Sequence, residues 1–317
     1  MPRLSRTRRA GFTLAELMVA MVLFGIVGTT ILNLLIRQQR FYRSASEIVD
    51  ARSQLRQAAS LLPSDLRGIS TVGNDVRVMR DTLVQVLANY GSGVACVKPT
   101  GNAIQIPARN TSLNSYSTWS DTPAAGDTVI VFDENASRGA EDDRWIRYAL
   151  TAVPDSLATY CAGSAFLATG ESGKGGWRLQ LGTTGKIPGS SSVTGIPTTV
   201  QAGAVVRLER PVEYALYKPS GDTRWFLGYR EMRAGTWTTR QAVSGPYRPA
   251  GTAAGVSFRY YTDAGAELVA GGDSTKVARI DLMLRARGDD SRNLISRGAG
   301  GRFSDSLAVR IGIRNRQ

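Results

Sequence analysis

The sequence predicts an α+β protein: one long N-terminal α-helix, its first half transmembrane and its second half amphipathic, packed on an antiparallel β-sheet head. Three observations predict it. No charge lies between Leu17 and Ile36, and about twenty helical residues at about 1.5 Å each match the hydrocarbon core of a bilayer. Apolar residues then recur at helical spacing as far as Leu62. From about Val76 the period changes from helical to alternating.

Met1 to Ala10 holds Arg3, Arg6, Arg8 and Arg9 and no acid, which keeps the leader cytoplasmic and turns the rest of the chain outward. Glu16 interrupts the start of the apolar run, and an ionised acid in lipid costs several kcal/mol unless compensated. No Lys or Arg lies between Ala10 and Arg37. A cut after Gly11 would create an ammonium at Phe12, one helical turn from Glu16, and so supply the partner. Gly25 and Gly28 are the weak points of the helix. An ordinary secretory signal ends in a small-residue cleavage site, whereas this core runs into Leu34-Leu35-Ile36-Arg37-Gln38-Gln39-Arg40. A plain single-pass anchor explains the run but leaves Glu16 unpaired.

Beyond the membrane, Phe41, Ala45, Ile48, Leu55, Ala59 and Leu62 form one stripe, with Arg40, Arg43, Glu47, Asp50 and Arg56 opposite. Pro63 stops this helix, and Ser64-Asp65 begins a further short turn. Expected strands are Thr82–Leu87, Ala103–Pro107, Thr128–Asp133, Trp145–Val153, Trp177–Leu181, Val205–Lys218, Arg224–Arg230, Val256–Thr262, Lys276–Ala286 and Ser306–Ile313. Ala278, Ile280, Leu282, Leu284 and Ala286 face one way, as do Leu307, Val309, Ile311 and Ile313, which predicts a buried face covered by the N-terminal helix. Pro211 makes its segment a bulged or edge strand. Hairpins fall at Ser220-Gly221-Asp222 and Asp263-Ala264-Gly265. Gly163–Gly176, Gly182–Gly203, Ser244–Gly255 and Gly271–Ser274 read as exposed loops.

The 317 residues, 42% hydrophobic, supply an ample core for one head of one or two sheets. The formal charge of +13 is spread among acids; it reads as a solvated surface, with DNA or an anionic surface as the alternative partner. There is no histidine, which removes the commonest general base and most transition-metal sites. Gly170-Glu-Ser-Gly-Lys-Gly fails as a phosphate loop, because Ala168 stands at its first glycine and Gly175 at its Ser/Thr. Asp133, Glu134, Glu141, Asp142 and Asp143 fit no EF-hand spacing and read as a solvated acidic loop. Trp119, Trp145, Trp177, Trp225 and Trp237 read as core or cross-strand packing before adhesion. No catalytic residue, metal site or cofactor is expected. Cys96 and Cys161, in an exported chain, invite a disulfide, with two buried free thiols as the alternative.

Gly11-Phe12-Thr13-Leu14-Ala15-Glu16, behind a basic leader and ahead of an apolar helix, resembles the class III signal of type IV pilins and type II secretion pseudopilins. The resemblance covers Met1 to about Asp50, and departs from many major pilins in lacking a helix proline. It implies that a prepilin peptidase cuts after Gly11 and N-methylates Phe12, and that Glu16 serves assembly. The chain then divides into a leader (1–11), a membrane and filament-core helix (12–36), an amphipathic continuation (37–62) and a head (63–317). Implied partners are the peptidase, other major and minor pilins or pseudopilins, and inner-membrane lipid, with the head periplasmic before assembly into a surface pilus or periplasmic pseudopilus. The size and the ending Leu307–Asn315 are most similar to PilW-type minor pilins or the J pseudopilin, and the long loops favour a filament tip. The rival reading is an anchored exported binding module or hydrolase. The lack of histidine and of a paired-carboxylate motif stands against catalysis.

Overall fold

The computed structural model describes residues 11–108, 116–135, 142–167, 176–288 and 303–313. The chain divides into two compact units, Met1–Asp50 with Gly288–Ser304, and Ala51–Arg287 with Asp305–Gln317. Helix α1 (Leu14–Arg67) belongs to the first through Asp50 and to the second from Ala51.

Within the second unit α1 buries Ala51, Leu55, Ala58, Leu62 and Leu66, a stripe at steps of four and three residues. This corrects the expected stripe. Of its members only Leu55 and Leu62 are buried, and Phe41 is 55% exposed. Small alanines admit close approach to a sheet, so burial follows what covers the helix rather than the size of the apolar side chain. Pro63 does not stop the helix either; it lies inside it, buried, four residues before the end. An interior proline removes one hydrogen bond and costs about 3 kcal/mol. Burial of Leu62 and Leu66 on either side offsets that cost, and the hydroxyls of Ser60 and Ser64 donate to the carbonyls of Gln57 (2.9 Å) and Leu61 (2.6 Å).

The strands of the described head are β1 (Val76–Arg80), β2 (Leu83–Val94), β3 (Ala103–Pro107), β4 (Thr118–Trp119), β5 (Thr128–Asp133) and β6 (Arg144–Ala149). There follow β7 (Asp155–Leu157), β8 (Gly176–Gln180), β9 (Thr184–Lys186), β10 (Ser192–Thr194), β11 (Val205–Tyr217) and β12 (Trp225–Arg233). The last are β13 (Thr236–Trp237), β14 (Gln241–Tyr247), β15 (Val256–Tyr261), β16 (Glu267–Leu268), β17 (Arg279–Arg287) and β18 (Ser304–Gly312). All ten expected strands are present, β3 and β5 with the expected ends; the largest shifts are in β2, which runs on to Val94, and β6, which stops at Ala149, while β17 begins three residues late, after a 3-10 turn at Ser274–Lys276 that Asp273 caps. Both expected hairpins form, joining β11 to β12 and β15 to β16. The supposed loops Gly182–Gly203 and Ser244–Gly255 contain β9, β10 and part of β14. Most of Gly163–Gly176, with the Gly170 to Gly175 stretch, lies outside the described residues, as does Glu141.

One sheet runs β10-β9-β6-β5-β11-β12-β14-β17-β15-β16, with β18 on β17 and β1 and β4 on β2; a second runs β3-β8-β7. Side chains of the small sheet (Ile104, Ile106, Leu179) share a core with Val129, Val131, Ile146, Val206 and Leu208 of the large one. Trp119 meets Trp177 edge-on at 6.4 Å across the two sheets, and a Cβ on Gly91 would stand 2.4 Å from the Trp119 Cβ, so glycine is required there. The α1 stripe covers the other half of the large sheet: Tyr214 Oη donates to Asp65 (2.6 Å), Gly245 N–H to Gln54 Oε1 (3.2 Å) and Arg52 Nε to Asp305 (3.0 Å). Ile280, Leu282, Leu284 and Ala286 of β17 are buried and their alternates are not, as the alternation requires.

β11 is central, not an edge. It pairs β2 along one side and, along the other, β5 through Val206–Glu209 and β12 through Val212–Tyr217. Pro211, which has no N–H to give, falls in the gap between those two partners. The expected bulge exists at Leu208/Glu209, and it leaves Tyr90 of β2 out of register. Beside the proline, Arg210 is almost fully buried. Its Nε and Nη2 bond the two Asp127 carboxylate oxygens (3.0 and 2.9 Å), Nη1 reaches Asp121 and Glu231 (3.3 Å for the latter), Nη2 also donates to the Thr122 carbonyl (3.0 Å), and the guanidinium lies 4.4 Å over the Tyr90 ring. The outer face carries further charges. Glu213 accepts from Arg230 (2.7 Å), Gln85 (2.6 Å) and Arg240, while Glu209 is 5% exposed beside the Arg147–Asp75 pair.

Removing Arg210 leaves the buried Asp127 without that cation, while Asp121 and Glu231 keep Arg233 (2.8 and 2.6 Å). Arg210→Ala is expected to cost about 3–5 kcal/mol, a fall in melting temperature of about 10 °C, whereas Arg224→Ala, in the exposed pair with Asp222, should cost less than about 1 kcal/mol. Thermal unfolding by circular dichroism checks both; equal shifts would refute the central role of Arg210.

Burial, and then the charge of Asp75, push the Glu209 carboxyl up from 4.5 to about 8 against the pull of Arg147, Arg207 and Arg77. The folded chain therefore holds a proton that the unfolded chain has lost between those values, so this contribution is present at pH 5 and disappears as pH rises through 8. With no histidine to titrate in that window, thermal stability should fall from pH 5 to pH 9, and Glu209→Gln should flatten the profile.

Candidate functional site

The segment Gly11 to Ile36 combines an exposed start with an exposed apolar helix. Phe12 is 89% and Phe24 85% exposed, and so are Leu17, Met21, Ile26, Ile31 and Leu35 to lesser degrees. An 18-residue window in α1 has mean hydropathy 2.3 and none of it is buried; among the described residues this is the one helix long and apolar enough to cross a membrane. Gly25 and Gly28 lie in unbroken helix. Thr30 Oγ1 donates back to the Ile26 carbonyl (2.8 Å), and Thr29 bonds the Gly25 carbonyl in the same way. These bonds satisfy both hydroxyls within the helix, as an apolar solvent demands.

Gly11 precedes the helix, its φ is not left-handed, and an added Cβ would meet nothing within 4 Å. The fold of this chain therefore imposes no glycine at position 11.

The Glu16 carboxylate does have a partner in the uncut chain. Its Oε2 accepts from the Thr13 N–H (2.9 Å) and Thr13 Oγ1 (3.0 Å), while the Glu16 N–H is 3.3 Å from Thr13 Oγ1. Thr13 and Glu16 thus close a capping box on the first turn of α1, worth about 1 kcal/mol in water and more where no water competes. The helix dipole favours the acid at this end too. Sequence reasoning missed Thr13, although Thr-x-x-Glu ahead of an apolar run is the signature of this cap. A Phe12 ammonium would form only on cleavage, and would add a second partner to a carboxylate already held.

Cys96 and Cys161 form a disulfide with Cα atoms 5.3 Å apart, closing 65 residues. Gln105 of β3 seats both ends, its carbonyl accepting from Cys96 N–H (2.9 Å) and its Oε1 from Cys161 N–H (3.2 Å). Of the acidic loop, Asp133 is buried and accepts from Arg144 Nε (2.9 Å), a structural pair and not a solvated one.

No curated protein and no solved structure matches the chain. Residues 6–32 match the family model of the prokaryotic N-terminal methylation motif. The chain therefore opens with a prepilin signal of the type IV pilin and pseudopilin type.

Proposed function

We propose that the protein is a structural minor pilin or pseudopilin: a subunit held in the inner membrane by α1 with its head outside, cut after Gly11 by a prepilin peptidase, N-methylated at Phe12 and assembled with other pilins into a type IV pilus or type II secretion pseudopilus. The methylation motif over residues 6–32, together with an apolar stretch of α1 that is not buried among the described residues, carries this reading. An apolar helix so exposed has two solvents, lipid or a bundle of like helices. In the bundle Glu16 pairs with the Phe12 ammonium of its own or a neighbouring chain, and removing either partner there leaves a charge at a cost of about 3–5 kcal/mol. The subunit sits at the tip, where a broad head meets no lattice of identical neighbours.

Mass spectrometry of the membrane-extracted protein should find Phe12 as a methylated N-terminus, and replacing Gly11 by a bulky residue should leave the precursor uncut; an intact Met1 in the wild type would sink the reading. Glu16→Ala should insert and be cleaved normally yet fall out of sheared filaments. Normal filament abundance of that variant would remove Glu16 from assembly, and finding the wild-type chain to be the main filament protein would remove the minor role.

A further inference from the structure

The outer face of the large sheet carries a cleft of about 1150 Å³ that the assembly reading does not use. Alternation along β6 and β11 puts Trp145, Arg147, Arg207 and Glu209 on the face opposite the sandwich core of Ile146, Tyr148, Val206 and Leu208, and these four residues line the cleft together with Asp75 and Thr275. The inner end of the cleft is rigid. Asp75 is buried and takes both Arg147 Nη1 and Nη2 (3.1 Å for the latter), and Nη1 also donates to the Gly73 carbonyl at 3.2 Å. A Cβ on Gly73 would lie 2.5 Å from the Arg147 guanidinium, so glycine is what lets the arginine lie there.

Among the residues that line the cleft, two buried side-chain atoms are without a hydrogen bond: Oε2 of Glu209 and Nε of Arg147. Glu209 is 95% withdrawn from solvent, and its Oε2 is 3.9 Å from Arg147 Nη1, outside hydrogen-bond range. A buried acceptor and a buried donor left unmade have lost the hydrogen bonds that water gave them. The two are of opposite sense, and a hydroxyl group, donor and acceptor at once, satisfies both. An ion of either sign does worse, because a cation meets Arg147 and Arg207 and an anion meets Asp75, Asp143 and Asp263. Arg207 lies 4.4 Å over the Trp145 ring, which holds a cation and an aromatic edge together at the exposed mouth. The volume exceeds the range of about 300–1,000 Å³ usual for a single small-molecule pocket, which suits an oligomer.

We propose that this cleft binds a neutral oligosaccharide whose hydroxyl groups reach Glu209 and Arg147. Binding is independent of filament assembly, so it is measured on the full chain in lipid nanodiscs whatever the fate of the assembly reading. The probes are maltotetraose, cellotetraose and tetra-N-acetylchitotetraose, observed by saturation-transfer NMR, with inorganic phosphate and spermidine as charged controls. At least one tetrasaccharide should show transfer. Glu209→Leu, which keeps the volume and removes the acceptor, should weaken it about tenfold or more while leaving or raising the melting temperature. Arg207→Ala, at the mouth, should weaken it several-fold without a thermal shift, and carries the test if Glu209→Leu does not fold. No transfer from any of the three, meaning that the cleft holds water only, overturns the proposal. So does binding indifferent to both substitutions, or Glu209-dependent binding of phosphate or spermidine in place of the sugars.

Discussion

The guanidinium of Arg210 stands where two hydrophobic cores meet, and the arrangement of both follows from how it is held. One half of β11 faces the small sheet through Val206 and Leu208; the other faces α1 through Tyr214. Between them the strand changes partner from β5 to β12, and the open seam is filled by one cation that collects carboxylates from the β4–β5 connection and from β12. Against an apolar side chain of the same volume such a network adds little net stability. Its effect is geometric: Arg210 ties Asp127 of the β4–β5 connection and Glu231 of β12 to one strand, so a slip of β5 or β12 draws a carboxylate away from the cation. Tyr90, displaced by the bulge in β2, closes the cluster by covering the guanidinium and donating to Asp127 (2.7 Å).

Much of this was legible in the sequence, and the exceptions have physical reasons. The clean alternation of β17 was readable because one face of it is dry, and that of β18 because Leu307 and Val309 are half-buried and Ile311 buried while Ser306, Ala308 and Arg310 are exposed. The prepilin segment was readable because glycine, aromatic, acid and apolar run occur at fixed spacing. The β14 strand was hidden by Gly245-Pro246, which breaks the alternation, and β4, β7, β9, β10, β13 and β16 are too short, at two or three residues, to show any period. Pro63 and Pro211 misled for one common reason: local rules put proline at ends and edges, while tertiary burial kept α1 running and a gap between partners accepted β11 as a central strand. Thr13 was legible and overlooked. Arg210 was not legible at all, since nothing in the sequence separates it from the other arginines until the seam closes around it.

The two faces of the large sheet carry different chemistry. The inner face is apolar apart from Arg210 with its carboxylates and the Asp133–Arg144 pair, and is shared between the small sheet and the last turns of α1. The outer face is a lattice of arginines, acids and aromatic rings, in which Arg230 lies 4.7 Å over Trp237 and Arg240 5.6 Å over Tyr217 while both hold Glu213. The spread-out positive charge of the sequence is thus organised in three dimensions, with carboxylates withdrawn beneath cations stacked on rings.

The contacts of α1 within the head have a mechanical consequence. They are spaced along the helix axis, with Arg52 on β18, Gln54 on β14 and Asp65 on β11, and the buried alanines and leucines lie between them. A force drawn along that axis loads all of them in shear at the same time, instead of peeling them away one by one. Rupture then needs many contacts to fail together, a slow step under load, so tension applied through the N-terminal helix is shared among β11, β14 and β18.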